Sequence, residues 1–151
     1  MPVELTPNGT RGVTMPRIPK LVQKIALPIA NLFLKSRGMR ILTLTTVGAK
    51  SGKEHAVPLA YFPDPARPGS WLLVASYGGS QKHPAWYVNM ARNPDRIWAE
   101  IDGHKTRVTA QSVTGPERQA AWDRVVAEQS LYAGYEQKTD REIPIVRITP
   151  A

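Results

Sequence analysis

No cysteine occurs among the 151 residues. Disulfides, thiolate metal sites and a cysteine nucleophile are therefore excluded. The composition is compatible with a reducing compartment, and a cytoplasmic protein is expected. Long hydrophobic runs are also missing. The longest apolar stretch, Ile25 to Leu34 with Asn31 inside it, is far too short to span a bilayer. The amino terminus lacks the charged, apolar and small-residue order of a signal peptide. No strand-like segment leads into G-x-G-x-x-G, which argues against a Rossmann dinucleotide site. Neither Ser51 nor Ser76 sits in a G-x-S-x-G elbow, so a serine hydrolase is not indicated. The three histidines, His55, His83 and His104, stand in no metal-ligand spacing, and no metal site is expected. No glycosidase-like carboxylate pair can be picked out. The chain thus brings no strong acid–base or nucleophile set of its own. A bound cofactor that carries the reaction, with the protein supplying position and electrostatics, fits that gap.

What is present is a 42% hydrophobic, 21% charged chain of one-domain length with a net charge of +8. The charge is unevenly placed. Residues 1–40 hold Arg11, Arg17, Lys20, Lys24, Lys35, Arg37 and Arg40 against Glu4 alone, which accounts for six of the eight net charges. An anionic partner or a solvated basic segment both fit this. Residues 1–18, punctuated by Pro2, Pro7, Gly9, Gly12 and Pro16, read as a flexible arm. The rest, 19–151, reads as a single domain that begins with a basic amphipathic helix over 19–37, bent at Pro28. That helix packs on its own domain or lies in an anionic membrane interface. No groove-reading motif or interleaved surface aromatics accompany the charge, so no nucleic-acid partner is expected.

From Arg40 the hydrophobic period changes. Leu42, Leu44 and Thr46 alternate with Thr43, Thr45 and Val47 as in a β-strand, and Gly48 to Gly52 supplies a turn. A second strand covers 54–62, with Pro58 implying an edge or a bulge. A third runs from Trp71 to Tyr77, and a short helix covers 84–93. Asp102-Gly103 joins two further strands, 95–101 and 104–112, in a hairpin. Thr114-Gly115-Pro116-Glu117 has capping-box spacing ahead of a helix that buries Ala121, Trp122, Val125 and Val126. Tyr132 and Tyr135 fall in a short connection, and Ile143 to Thr149 forms a sixth strand. Six strands joined mostly by hairpins predict an α+β, mainly β domain: an antiparallel barrel with surrounding helices.

Two basic, glycine-containing loops offer backbone amides and cations to an anionic ligand. One is Gly48-Ala49-Lys50-Ser51-Gly52-Lys53, with His55 just beyond. The other is Gly78-Gly79-Ser80-Gln81-Lys82-His83-Pro84-Ala85-Trp86-Tyr87-Val88-Asn89, in which Trp86 and Asn89 fall three apart on one helical face.

Those segments, with Thr45-Thr46-Val47 ahead of the first, Pro58-Leu59, Asn93-Pro94 and the ending Thr139-Asp140-Arg141-Glu142-Ile143-Pro144-Ile145-Val146, resemble the deazaflavin-dependent nitroreductase family of actinobacteria. The resemblance covers about residues 20–150. It implies a split antiparallel β-barrel of the flavin-reductase and pyridoxamine-phosphate-oxidase type. It also implies an oxidoreductase using the reduced deazaflavin coenzyme F420, with flavin mononucleotide (FMN) as the competing cofactor. Hydride would pass to an electron-poor acceptor such as a quinone, an activated enone or lactone, or a nitroaromatic. Carried over residue by residue, Lys50, Ser51, Gly52 and His55 would meet the cofactor's phosphate and tail. Pro58 and Leu59 would line the deazaflavin face. Ala75, Ser76 and Tyr77 would border the ring system, with Ser76 close to the reacting atoms. Lys82 would add charge, and Trp86 and Asn89 would complete the cofactor wall. Tyr132 and Tyr135 match tyrosines that face the substrate. The alternative is a non-catalytic carrier of the same ligand. The resemblance also favours a monomer.

The departures are specific. Ala49 and His55 stand where the family often has arginine, Tyr77 where lysine is common, and Ala60 where an aromatic often follows Pro-Leu. Weaker tail binding, or reliance on Lys53, and a wider substrate side are the expected results.

Overall fold

The computed structural model describes residues 3–14, 19, 21–22, 29, 32, 35–36 and 38–151. Most of the helix expected over 19–37 therefore lies outside the described residues. Its described positions Leu21, Val22, Ile29, Leu32, Lys35 and Ser36 are helical.

Six strands close into a barrel: β1 (Arg40–Val47), β2 (Glu54–Pro63), β3 (Trp71–Val74), β4 (Trp98–Ile101), β5 (His104–Val113) and β6 (Ile145–Pro150), in the order β1-β2-β3-β6-β5-β4. Every neighbouring pair is antiparallel. Beyond the partly described segment before Arg40, the described residues include the α-helices α1 (Ala85–Arg92), α2 (Gly115–Glu128) and α3 (Leu131–Lys138). The predicted hairpin is present. Asp102 and Gly103 both adopt positive φ, 52° and 83°, as a tight two-residue connection between right-twisted strands demands.

The two faces of the sheet bury two different cores, as a side-chain period of two requires. Leu42, Leu44, Leu73, Val146 and Ile148 share one cluster with Trp86, Tyr87 and Met90 of α1. Leu72, Val74 and Ile145 point the other way, against Trp122 and Val125 of α2 and Tyr132 of α3. That second face also buries an ionic group. Arg147 Nε donates to Asp64 Oδ2 at 2.6 Å, and the two side chains are 2% and 0% exposed. Arg147 also pairs with Glu117, and Arg124 approaches Asp64 at 3.8 Å. The predicted capping box is thereby replaced. Thr114 makes no side-chain cap, and Glu117 reaches inward to Arg147 instead of back to the helix start.

Three further expectations are corrected. Tyr132 and Tyr135 lie in a helix, α3, rather than in a connection. It is fastened to α2 by Trp122 Nε1 donating to Glu136 Oε2 at 2.9 Å. β3 stops at Val74 rather than at Tyr77, because the next carbonyls turn toward a buried arginine described below. Finally, residues 3–14 of the expected flexible arm lie in contact with the barrel. Val3 is buried in the first core, the Glu4 carbonyl accepts from Tyr87 Oη at 2.6 Å, and the Asp140 carboxylate accepts from the amides of Thr10 (2.8 Å) and Arg11 (2.9 Å).

The seam also holds an imidazole, that of His83. Its Nε2 contacts the Thr6 carbonyl at 2.7 Å, and its Nδ1 lies 2.9 Å from Arg141 Nη1. The guanidinium can only donate, so Nδ1 accepts and Nε2 carries the proton. Burial holds the pKa below its ordinary 6.5 against the upward pull of the Thr6 carbonyl, and the Arg141 charge lowers it further. The folded protein therefore takes up fewer protons here than the unfolded chain. Stability from this group is complete above the ordinary value and is lost as pH falls through the folded one. The urea midpoint should fall as pH drops from about 7.5 to about 5.5, above the range where most carboxylates titrate. His83→Gln should flatten that slope, and an unaltered slope would remove His83 as its source.

Candidate active site

β2 is fully paired with β1 from Glu54 to Tyr61, but among the described residues it meets β3 only at Phe62–Leu72 and Pro63–Trp71. The barrel is split along the rest of that edge. Pro58, which has no amide hydrogen to offer a second neighbour, sits within this singly paired stretch, as expected of an edge position. A cleft of about 1300 Å³ is lined by β2, the end of β3, the start of α1, the β1–β2 turn and α3. By volume it accommodates a large cofactor together with a second small molecule.

One end of the cleft is polar. The β1–β2 turn is closed by Gly48 N donating to Lys53 O (2.8 Å) and Gly52 N donating to Gly48 O (3.0 Å), with Gly52 at φ 68°. Gly48 lets the Ser51 and His55 side chains pack directly against the turn. A Cβ there would lie 2.4 Å from Ser51 Oγ and 3.1 Å from His55 Nε2. This packing brings Lys50, Ser51 and His55 to one mouth of the cleft. Asn89 of α1 secures the turn from below. Its Oδ1 accepts from Ala49 N at 3.0 Å and its Nδ2 donates to Thr46 Oγ1 at 3.2 Å. The Asn89 amide thus ties α1 to β1 while facing the cleft.

The other end is apolar and aromatic. Met39, Ala60, Val74 and Leu131 line it with Tyr132 and Tyr135. Tyr132 stands edge-on to Phe62 (5.7 Å between ring centroids) and to Tyr135 (5.5 Å). Burial pushes its phenol well above the ordinary value of 10, and Tyr135 adds to the shift. Tyr132 is therefore a neutral hydrogen-bond donor across the working range of any enzyme. Between the two ends lie Pro58, Leu59, Ser76, Tyr77 and Trp86.

Eleven of the sequence-derived site residues thus come together around one cleft: Lys50, Ser51, His55, Pro58, Leu59, Ser76, Tyr77, Trp86, Asn89, Tyr132 and Tyr135. The others sit elsewhere. Ala75 is wholly buried in the first core. Gly52 shapes the turn from behind its lining residues. Lys82 is exposed, on the segment leading into α1. Met39, Val74 and Leu131 were not legible as site residues, because nothing separates an apolar cleft wall from ordinary core in one sequence. All four departures from the family pattern, Ala49, His55, Tyr77 and Ala60, line the cleft, and the small side chains of Ala49 and Ala60 leave room there.

An antiparallel barrel parted beside one strand, with a cationic turn at one end of its cleft and a phenolic wall at the other, defines the split-barrel reductases that hold a flavin-like cofactor. The sequence model of the family described as F420H(2)-dependent quinone reductase matches residues 28–150. An F420H(2)-dependent quinone reductase of Mycobacterium tuberculosis is 35% identical over 113 residues, 72% of each chain. Among solved structures, an F420-H2 dependent reductase superposes with a TM-score of 0.62 at 38% identity, covering 72% of this chain and 93% of that one. A protein solved as a domain-swapped dimer superposes equally well, TM-score 0.62 at 32% identity, covering 84% of this chain and 98% of its own. The chain belongs to the F420H(2)-dependent quinone reductase family. It is accordingly an oxidoreductase whose cofactor is coenzyme F420, as the motif resemblance implied. The monomer expected from that resemblance finds no support in a relative that exchanges segments between copies.

Proposed function

We propose that this chain reduces a quinone-type acceptor with F420H2, binding both in the cleft described above. The observation that carries the reading is the cleft's polarity: a lysine, an imidazole and a hydroxyl at the turn, an apolar floor, and two phenols at the far end. The residues present fit the cofactor. Lys50, Ser51 and His55 suit a phosphate and a carboxylate-bearing tail. Pro58, Leu59 and Trp86 offer flat apolar surface to a ring system, with Ser76 and Tyr77 at its edge. When bound, the reduced deazaflavin supplies the hydride. The protein's contribution is to hold acceptor and donor in van der Waals contact and to exclude water. Tyr132, kept neutral, donates a hydrogen bond to the acceptor oxygen as negative charge grows on it. Ala60 gives the acceptor side width for substituted rings.

Titration of the apoprotein with F420 and with FMN is the first test, and tighter binding of F420 is expected. Stopped-flow oxidation of F420H2 with a menaquinone analogue, an unsaturated lactone and a nitroaromatic then ranks acceptors, with the quinone fastest. Tight F420 binding without turnover of any acceptor would leave a carrier and end the reductase reading.

Peripheral membrane attachment belongs to the same proposal. Leu21, Val22, Ile29 and Leu32 are all at least half exposed on a helical segment of basic composition. Among the described residues no helix is long and apolar enough to cross a membrane. That arrangement suits a helix lying on anionic lipid, where a quinone pool would be at hand. Full-length protein should float with vesicles rich in phosphatidylglycerol and not with neutral ones. Equal recovery from both would remove the idea.

A further inference from the structure

Arg141 is 4% exposed, and its guanidinium bonds to main-chain oxygens on both sides of one turn. Nη1 donates to Ala75 O at 2.9 Å and Nη2 to Ser76 O at 2.8 Å, while Nε donates to Ser80 O at 3.0 Å. Between these anchors Tyr77, Gly78 and Gly79 all take positive φ, 45°, 62° and 82°. Three successive residues in the left-handed region do not hold themselves there, least of all with a tyrosine first. Ser76, Tyr77 and Gly78 line the cleft. The turn is also the seat of α3. A Cβ on Gly79 would lie 2.8 Å from the Lys138 Cβ and 3.0 Å from the Tyr135 carbonyl.

The turn and the residues after it are themselves covered by the amino-terminal segment. Val13 N donates to Gly79 O (3.0 Å) and Gly9 N to Gln81 O (2.8 Å), and the Asn8 side-chain oxygen accepts from His83 N (3.0 Å). The approach is as close as backbone allows. A Cβ on Gly12 would lie 2.4 Å from Gln81 N and 2.8 Å from Gly79 O. None of residues 3–14 lines the cleft, and all precede the stretch that the family model matches.

We propose that Arg141 and the strap formed by residues 4–13 act as one clamp that holds the Ser76–Gly79 turn in its ligand-binding shape, making both positioning elements of the cofactor site. This rests on the reading of the cleft as the F420 site. Arg141 works because a planar group with donors in three directions reaches acceptors before and after the turn at once. A lysine ammonium in its place is a single point and cannot span them. The strap works from the opposite side, closing over Gly79 and Gln81 so that the turn cannot relax outward.

The test uses full-length Arg141→Lys and Gly12→Ala, titrated with F420 in the absence of any acceptor. The dissociation constant should rise by at least about tenfold in Arg141→Lys and about threefold in Gly12→Ala, with binding stoichiometry unchanged. A merely structural role gives the opposite pattern, fewer competent molecules at an unaltered dissociation constant. Gly12→Ala changes no group that touches the cleft, so it remains informative if Arg141→Lys does not fold. Hydrogen exchange read without ligand separates this proposal from the functional one. The amides of Gly79 and Ser80, which donate to Ser76 O and Tyr77 O, should lose protection in Gly12→Ala. If wild type binds no F420 but those amides do lose protection, the functional reading fails and the clamp stands. If protection and dissociation constant both match wild type, the clamp is overturned.

Discussion

Asp64→Ala should lower the unfolding free energy by about 3–5 kcal/mol, the cost of leaving a buried charge without its partner. For a chain of this size that corresponds to a drop in Tm of roughly 10 °C. The carboxylate has no exposed surface and makes two separable contributions. Its Oδ2 accepts from Arg147 Nε, and its Oδ1 accepts from Ala66 N at 3.0 Å, which fixes the loop between β2 and β3. Removing the group leaves the Arg147 guanidinium, 2% exposed, with Glu117 alone, and Glu117 is 47% exposed to solvent. Asp64→Asn keeps an oxygen for Ala66 N and loses the charge. Its difference from the alanine variant should be about 1 kcal/mol, the worth of one hydrogen bond. Replacing the pair together, Asp64→Leu with Arg147→Met, should recover much of the loss, since well-packed apolar groups often match a buried ion pair. Urea unfolding at neutral pH measures all three. A cost below about 1 kcal/mol for the alanine variant would mean that water reaches this cluster.

Tyr132→Phe should reduce kcat with a quinone by about a hundredfold while leaving the dissociation constant of F420 unchanged. The substitution keeps the ring, so the edge-on contacts with Phe62 and Tyr135 survive and only the hydroxyl is lost. The expected pattern follows from where the phenol acts. It meets the acceptor end of the cleft, and its hydrogen bond strengthens only as charge develops on the acceptor, so the loss falls on the rate rather than on cofactor binding. Its raised pKa means that the wild-type rate should show no limb from ionisation of this tyrosine at any accessible alkaline pH. Tyr135→Phe should cost less, since that residue is only partly buried. Wild-type rates in both variants would assign the two tyrosines to packing.

Much of the barrel was legible because its signals are local. Alternation in β1, the Asp102-Gly103 hairpin and the proline on an edge each follow from a few adjacent residues. The failures share the opposite property. The early end of β3 depends on Arg141, more than sixty residues away, and the ordering of the amino-terminal strap depends on Asp140, about 130 residues from Thr10. The proline and glycine content of that strap describes a chain that makes no helix or strand, which does not make it loose. The capping box failed because a glutamate has two possible partners, and the buried arginine held it. In the site, charged and aromatic residues in turn motifs were recognisable, whereas Met39, Val74 and Leu131 were indistinguishable from core. Lys82, a cation in a glycine-containing loop, is turned to solvent by the folded chain.

The separation of the cleft's two ends has an evolutionary consequence. The turn, β2 and the end of β3 belong to the barrel's own hydrogen-bonded frame, so changes there disturb the fold. Helix α3, which carries Tyr132 and Tyr135, lies outside the sheet and is fastened by Trp122, by ring contacts and by its seat on Gly79. Substitutions on its cleft-facing side can alter which acceptor is reduced without revising the barrel beneath. Divergence among relatives of this kind should therefore concentrate on that helix, with a slowly changing scaffold serving a changing set of substrates.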